Sequence, residues 1–269
     1  MTELVKPPQM LRLLRDHDHE LEVDVSEELF VLLGKAMHTV LERAAKHVQS
    51  AEVEKRLYMD VLGEKVGGRF DVIEGGVLSD WKITSVWSFL LGAKVEWEQQ
   101  LNMLAALARY NGRGPNFGKL QVNAILRDWN KNEAARDPEY PQVPFVSREI
   151  PMWGEDAALN FMRHRVRLHE HGRTILDVKT LSCSDEERWK KPDVWAVTKQ
   201  GNVRAAPGGL KATREEAQEF ADNLSAATGK PHKVEQRVGG YPRCEAYCGA
   251  APWCFQYQQS LKAKEGVNA

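Results

Sequence analysis

The sequence predicts an α/β fold with a small β-β-α-β insert in its last third. Three observations predict it. A long segment of helical periodicity precedes three β-rich runs and a second helical segment. Two of those runs meet at Gly75-Gly76, a two-residue hairpin signal. A composition shift near Val178 then opens a stretch in which β and helical patterns alternate between Cys183 and three later cysteines.

In chain order, residues 1–25 read as an irregular or extended arm. Ser26 is the expected N-cap of the first helix, with Glu27 and Glu28 near its positive dipole end. Phe30, Leu33, Met37, Leu41, Ala44 and Val48 recur at helical spacing and predict a core-facing stripe. Strands are expected over 53–61, 66–73 and 77–84, and a helix over 87–109 that ends at Asn111-Gly112-Arg113-Gly114-Pro115. A strand over 120–127, a Pro-rich loop over 137–144, a strand over 145–151 and a basic helix over 155–172 follow. The insert, about 192–240, combines a hairpin over 194–206, a helix opened by the capping box Thr213/Glu216, and a strand over 233–237. The expected division is 1–178 and 179–269.

Composition narrows the function. The 37 Lys+Arg and 38 Asp+Glu of the 269 residues nearly cancel, which excludes a uniformly basic coat but allows a local basic groove. No apolar run approaches the length of a membrane span, and no membrane partner is expected. Residues 1–9, with Glu3 and two prolines, do not resemble a secretory signal, so a cytoplasmic location with reduced thiols is expected.

The segment 66–82 carries the chemistry. With Gly75-Gly76 as the loop, Glu74 faces Val77, and counting back sets Asp71 opposite Asp80. Side chains so placed are about 5 Å apart, and two carboxylates there repel unless one is protonated or a cation joins them. Lys82 projects from the same face as Asp80, whereas Phe70, Val72 and Trp81 are expected to point to a core on the other side. Hard carboxylate oxygens suit Mg²⁺ or Mn²⁺, which polarises a phosphoryl oxygen and acidifies a bound water. A solvated surface hairpin is the competing reading of this pattern.

Asp71 followed by Asp80-Trp81-Lys82 resembles the metal-binding core of the PD-(D/E)XK nucleases, most closely the RecB-like exonuclease branch. Gly34-Lys35-Ala36-Met37-His38 matches that branch's G-x-x-x-H on the preceding helix. Gln100 matches the glutamine of its Q-x-x-x-Y, with Leu104 in place of the tyrosine. The resemblance covers residues 26–130. It implies a mixed sheet flanked by helices and a metal-dependent DNA exonuclease. It also implies His38, Asp71 and Asp80 as ligands, Lys82 as a catalytic residue, and Gln100 contacting DNA or ordering the site. Taken singly, His38 also fits a core histidine and Gln100 a polar helix residue. Glu54 and Asp60 read as ordinary charges unless the fold brings them into the cleft.

Cys244, Cys248 and Cys254 fall in one short stretch, and Cys183 stands well upstream. Four thiolates complete one site for tetrahedral zinc or an iron-sulfur cluster, and free structural cysteines are the alternative. The stretch from Arg243 to Phe255 resembles the C-terminal 4Fe-4S closure of RecB-like nucleases, shared by AddB and the CRISPR-adaptation nucleases. That resemblance implies a structural 4Fe-4S cluster on Cys183, Cys244, Cys248 and Cys254. Cys183 departs from the pattern in following the nuclease core, as in apparent phage-encoded relatives.

Arg163, Arg165 and Arg167 on the basic helix are candidate phosphate contacts, as are Arg113, Lys119, Arg127 and Lys131 near the expected mouth. A solvated helix face has the same composition. The sequence thus points to a metal-dependent deoxyribonuclease acting on DNA. A non-catalytic DNA-binding or assembly protein on a nuclease scaffold is the second reading.

Overall fold

The computed structural model describes residues 2–22, 24–90, 92, 94–113 and 117–267. They form two compact units: Met1–Lys6 with His19–Leu176, and Pro7–Asp18 with Asp177–Ala269.

The first unit is built on a mixed sheet flanked by helices. Its strand order is β1 (Glu52–Val53), β4 (Val72–Glu74), β5 (Val77–Thr84), β6 (Lys119–Leu126) and β7 (Phe145–Ile150). Only β5 and β6 run parallel, and the crossover this requires is supplied by α3 (Val86–Leu90) and α4 (Val95–Tyr110). Gly75 and Gly76 have φ of 55° and 79°, the left-handed pair that a tight hairpin turn needs. The turn pairs Glu74 with Val77 and carries the ladder back to Val72 opposite Ser79. Asp71 is the next residue on, in step with Asp80.

Leu78, Leu120 and Val122 of the sheet interlock with Leu101, Leu104 and Leu107 of α4 and Met162 of α6 (Glu155–Thr174). Each such fully buried side chain contributes about 1.5–3 kcal/mol. Asp80 and Lys82 share the Leu78 face, so the acidic pair lies on the core side of the sheet. Trp81 does not face a core as expected. It is half-exposed on the opposite face, 5.9 Å from Phe145. Phe70 is fully buried with Leu78, because the chain leaves β3 (Glu64–Arg69) before β4 begins and the alternation breaks there.

Several elements depart from the sequence pattern. The expected first strand divides into β1 and β2 (Arg56–Val61) at Glu54, whose φ is 50°, and β2 pairs with β3 as a separate hairpin. The expected helix over 87–109 divides at Gly92, φ 107°. A short α5 (Lys131–Arg136) is capped by the Asn130 side chain. The apolar stripe of α2 (Val25–Ala45) is not buried: Phe30 and Leu33 are exposed, and no described side chain of this helix reaches the interior. The side chains of Ser26 and Glu27 lie outside the described residues, as do Gly114 and Pro115 of the turn signal.

In the second unit the insert is a three-stranded antiparallel sheet, with β8 (Val194–Lys199) between β10 (His232–Arg237) and β9 (Ala205–Lys211). α7 (Arg214–Thr228) packs Ala217 and Ala221 on Val197, and its Thr213/Glu216 capping box is present. β9 begins only at the end of the expected hairpin over 194–206 and runs beyond it. The supposed arm holds a helix, α1 (Pro8–Asp16), with Pro8 in the first turn, where proline's missing N–H costs nothing. Its Met10 and Leu13 pack with Ala250 and Cys254. A last helix, α8 (Phe255–Val267), closes the described chain.

Candidate functional site

Three elements of the first unit converge on the hairpin. α2 carries His38, whose Nδ1 lies 3.5 Å from Asp71 Oδ1. β5 carries Asp80 and Lys82, with Nζ 2.6 Å from Asp80 Oδ2. α4 brings Gln100, whose amide donates to Asp80 Oδ1 at 3.4 Å. The Trp81 backbone N–H donates to Asp71 Oδ2 at 2.7 Å, which fixes that carboxylate and leaves Oδ1 towards His38.

Glu54 joins this group, although its sequence position gave no sign of it. One ligand atom each from His38, Glu54 and Asp71 lie within 4.8 Å of one another. The Glu54 N–H donates to the Asp71 carbonyl at 3.0 Å, and a non-glycine φ of 50° turns the side chain inward at a conformational cost. In sequence Glu54 is one charge among Glu52, Lys55 and Arg56, so periodicity could not single it out. Asp60 stays outside the group and accepts the Gly63 N–H instead.

Two cations lie against the buried acids of this group. Arg69 lies 2.6 Å from Glu54 Oε2 and Lys82 lies 2.6 Å from Asp80 Oδ2. Each of these buried oxygens is thus held in a close ion pair. Burial raises the Asp80 carboxyl above the usual range, against the pull of Lys82. Burial raises Glu54 likewise, against Arg69. The hydrogen bond to Asp71 raises His38, against its own desolvation. Acids clustered beside a histidine fit a divalent cation.

The expected phosphate contacts are dispersed. Arg165 is buried and donates to the Leu4 and Lys6 carbonyls at 2.6 Å each, so it ties down the N-terminal residues and cannot meet a substrate. Arg113 pairs with Glu52 at 3.7 Å and Lys119 with Glu149 at 2.8 Å. Arg163 and Arg167 are exposed on α6.

In the second unit, burial raises the Cys183 thiol far above its usual pKa, with Glu187 and then Cys254, Cys248 and Cys244 adding to it. All four cysteines therefore lie in one neighbourhood. Gln9 of α1 connects two of them: its Oε1 accepts from Cys183 Sγ at 3.2 Å and lies 3.8 Å from Cys254 Sγ. Gln9 Nε2 donates to the Leu181 carbonyl, and Gln256 exchanges two hydrogen bonds with the Cys183 backbone. Among the described residues no three cysteine sulfurs lie within 4.8 Å of one another.

No family model matches the chain, and no curated protein matches it. Five chains among solved structures do match. One, described as "Crystal structure of SSO0001", is 20% identical, with a TM-score of 0.43 over 62% of this chain and 74% of that one.

Proposed function

We propose that the protein is a divalent-metal-dependent DNA nuclease, an exonuclease of the PD-(D/E)XK type, hydrolysing phosphodiester bonds in recombination, repair or phage DNA processing. The observation that carries this reading is the convergence of His38, Asp71, Asp80, Lys82 and Gln100 on one hairpin face, with the Asp80 carboxylate buried. Binding alone needs no such grouping of two aspartates with a lysine.

His38, Asp71 and Asp80 would hold Mg²⁺ or Mn²⁺, with Glu54 as a further ligand. A bound ion supplies Lewis-acid polarisation of the phosphate and a more acidic water. The chain's own contributions follow from the geometry. The Trp81 N–H presets the Asp71 carboxylate, and Gln100 steadies Asp80. Lys82 offsets negative charge gathering on the phosphate and can hand a proton to the departing oxygen. His38 serves as a ligand only when neutral, so protons compete with the metal.

For the cysteine site we favour 4Fe-4S over zinc. The support for this choice is the resemblance of the stretch from Arg243 to Phe255 to a 4Fe-4S closure, together with cysteine spacing that lacks the paired C-x2-C of common zinc sites. Asp80→Ala and Lys82→Ala, assayed on linear DNA with Mn²⁺, test the nuclease reading. Loss of cleavage with retained fold supports it, and unchanged cleavage by both variants defeats it. End-labelled linear DNA beside closed circular DNA separates exonuclease from endonuclease action.

A further inference from the structure

Beyond the carboxylates, three cations of this unit, one just after β6, one on β7 and one at the start of α4, lie over aromatic rings. Arg127 follows β6 directly, and its N–H donates to the Thr84 carbonyl at the end of β5 at 3.0 Å, two residues past Lys82. Its guanidinium lies 4.1 Å from the Phe30 ring. Arg148 of β7 lies 4.2 Å from the Phe89 ring, and Lys94, at the start of α4, 5.6 Å from the Trp97 ring. Arg113, Lys119 and Arg173 are each neutralised by a carboxylate, whereas these three show no ion pair among the described residues. An aromatic seat orients a cation without cancelling its charge.

Arg148 Nη1 reaches Gly92, in the link between α3 and Lys94, while Val86 and Phe89 of α3 share a buried cluster with Leu126, the residue before Arg127. Desolvation lowers the Lys94 ammonium pKa; Glu96 opposes this, and the nearby positive charges of Arg127 and Lys82 add to it. α3 is anchored beside Arg127 by the Val86 N–H, which donates to Asp128 Oδ1 at 2.8 Å. From that anchored helix, between Val86 and Phe89, Trp87 stands 70% exposed. Cations with an open indole beside them are the components of a single-strand platform, in which phosphates meet charge and an unpaired base stacks on the ring.

We propose that Lys94, Arg127 and Arg148, together with Trp87, form a subsite that holds backbone phosphates and one unstacked base of single-stranded DNA leading into the carboxylate centre. The proposal rests on the nuclease reading for its substrate class, and its test is a binding measurement that does not need cleavage. Fluorescence anisotropy of a labelled single-stranded oligonucleotide is followed against salt, with Ca²⁺ in place of Mg²⁺. Replacing all three cations by glutamine should flatten the slope of log affinity on log salt by about 2, since each phosphate contact on a single strand contributes about 0.7. Trp87→Ala should weaken binding roughly tenfold and leave the slope unchanged.

Retention of an Mn²⁺-dependent rise in melting temperature shows that a variant is folded. If the triple variant lacks it, the three single variants decide, each with about a third of the slope change. Wild-type affinity and slope in the cation variants would overturn the subsite, as would equal binding of blunt duplex with no effect of Trp87→Ala. A wild-type protein that binds single strands through these residues yet leaves DNA intact with Mn²⁺ would sink the nuclease reading and spare the subsite.

Discussion

At the scale of single residues, the acidic centre is held at a cost. His38, Glu54 and Asp80 all have pKa values raised by the fold, so the folded state without metal binds more protons than the unfolded chain. Stability from these groups is present below their ordinary pKa values and is lost as pH rises through the raised ones. The metal-free protein should therefore melt lower at about pH 8 than at about pH 5.5, and Mn²⁺ should raise its melting temperature more at the higher pH, which calorimetry can check. Asp80→Asn removes a buried charge, so it should flatten this pH dependence while abolishing cleavage. Glu54→Gln should weaken Mn²⁺ binding about tenfold, ~1.4 kcal/mol, by titration calorimetry.

These residues differ in how far the sequence disclosed them. Asp71, Asp80 and Lys82 were legible because a two-residue loop fixes which side chains meet. His38 and Gln100 were singled out only through a resemblance in spacing, since a helix pattern alone does not say which sheet edge it meets. Glu54 was hidden, because it reaches the site through a left-handed backbone kink that no periodicity encodes. Arg165 misled for the opposite reason: a run of arginines says nothing about which one turns inward to bond carbonyls.

At the scale of elements, α2 and α4 have similar apolar content but different surroundings. α4 is buried along most of its length, and α2 presents Leu29, Phe30, Leu32 and Val40 to the exterior. Leu104→Ala should cost about 2–5 kcal/mol in chemical denaturation. Leu32→Gln should change stability by less than about 0.5 kcal/mol. Composition read both helices as core elements, and only packing separates them. The elements were legible in order but not in extent, since a backbone kink at Glu54 divides a strand and a left-handed Gly92 a helix that each read as continuous.

At the scale of the whole molecule, the second unit assembles its cysteine neighbourhood from distant pieces of chain: α1, the segment after Leu176, and the C-terminal stretch. α1 was not foreseen because its helix-forming signals follow a Pro-Pro step. Anaerobic purification should yield a brown protein with about four irons per chain. Cys254→Ser should bleach it and unfold the second unit, yet leave Mn²⁺ binding by the first unit unchanged. Colourless protein containing zinc would instead assign a single tetrahedral ion.

The Gly75-Gly76 loop has a consequence for how this chemistry can vary. Parity along β5 decides whether Asp80 and Lys82 or Trp81 look inward, and loop length sets that parity. One glycine inserted after Gly76 should swap the two faces and silence the protein at a stroke, whereas a pair of glycines should restore the original facing. Drift in this loop is therefore expected to proceed in even steps.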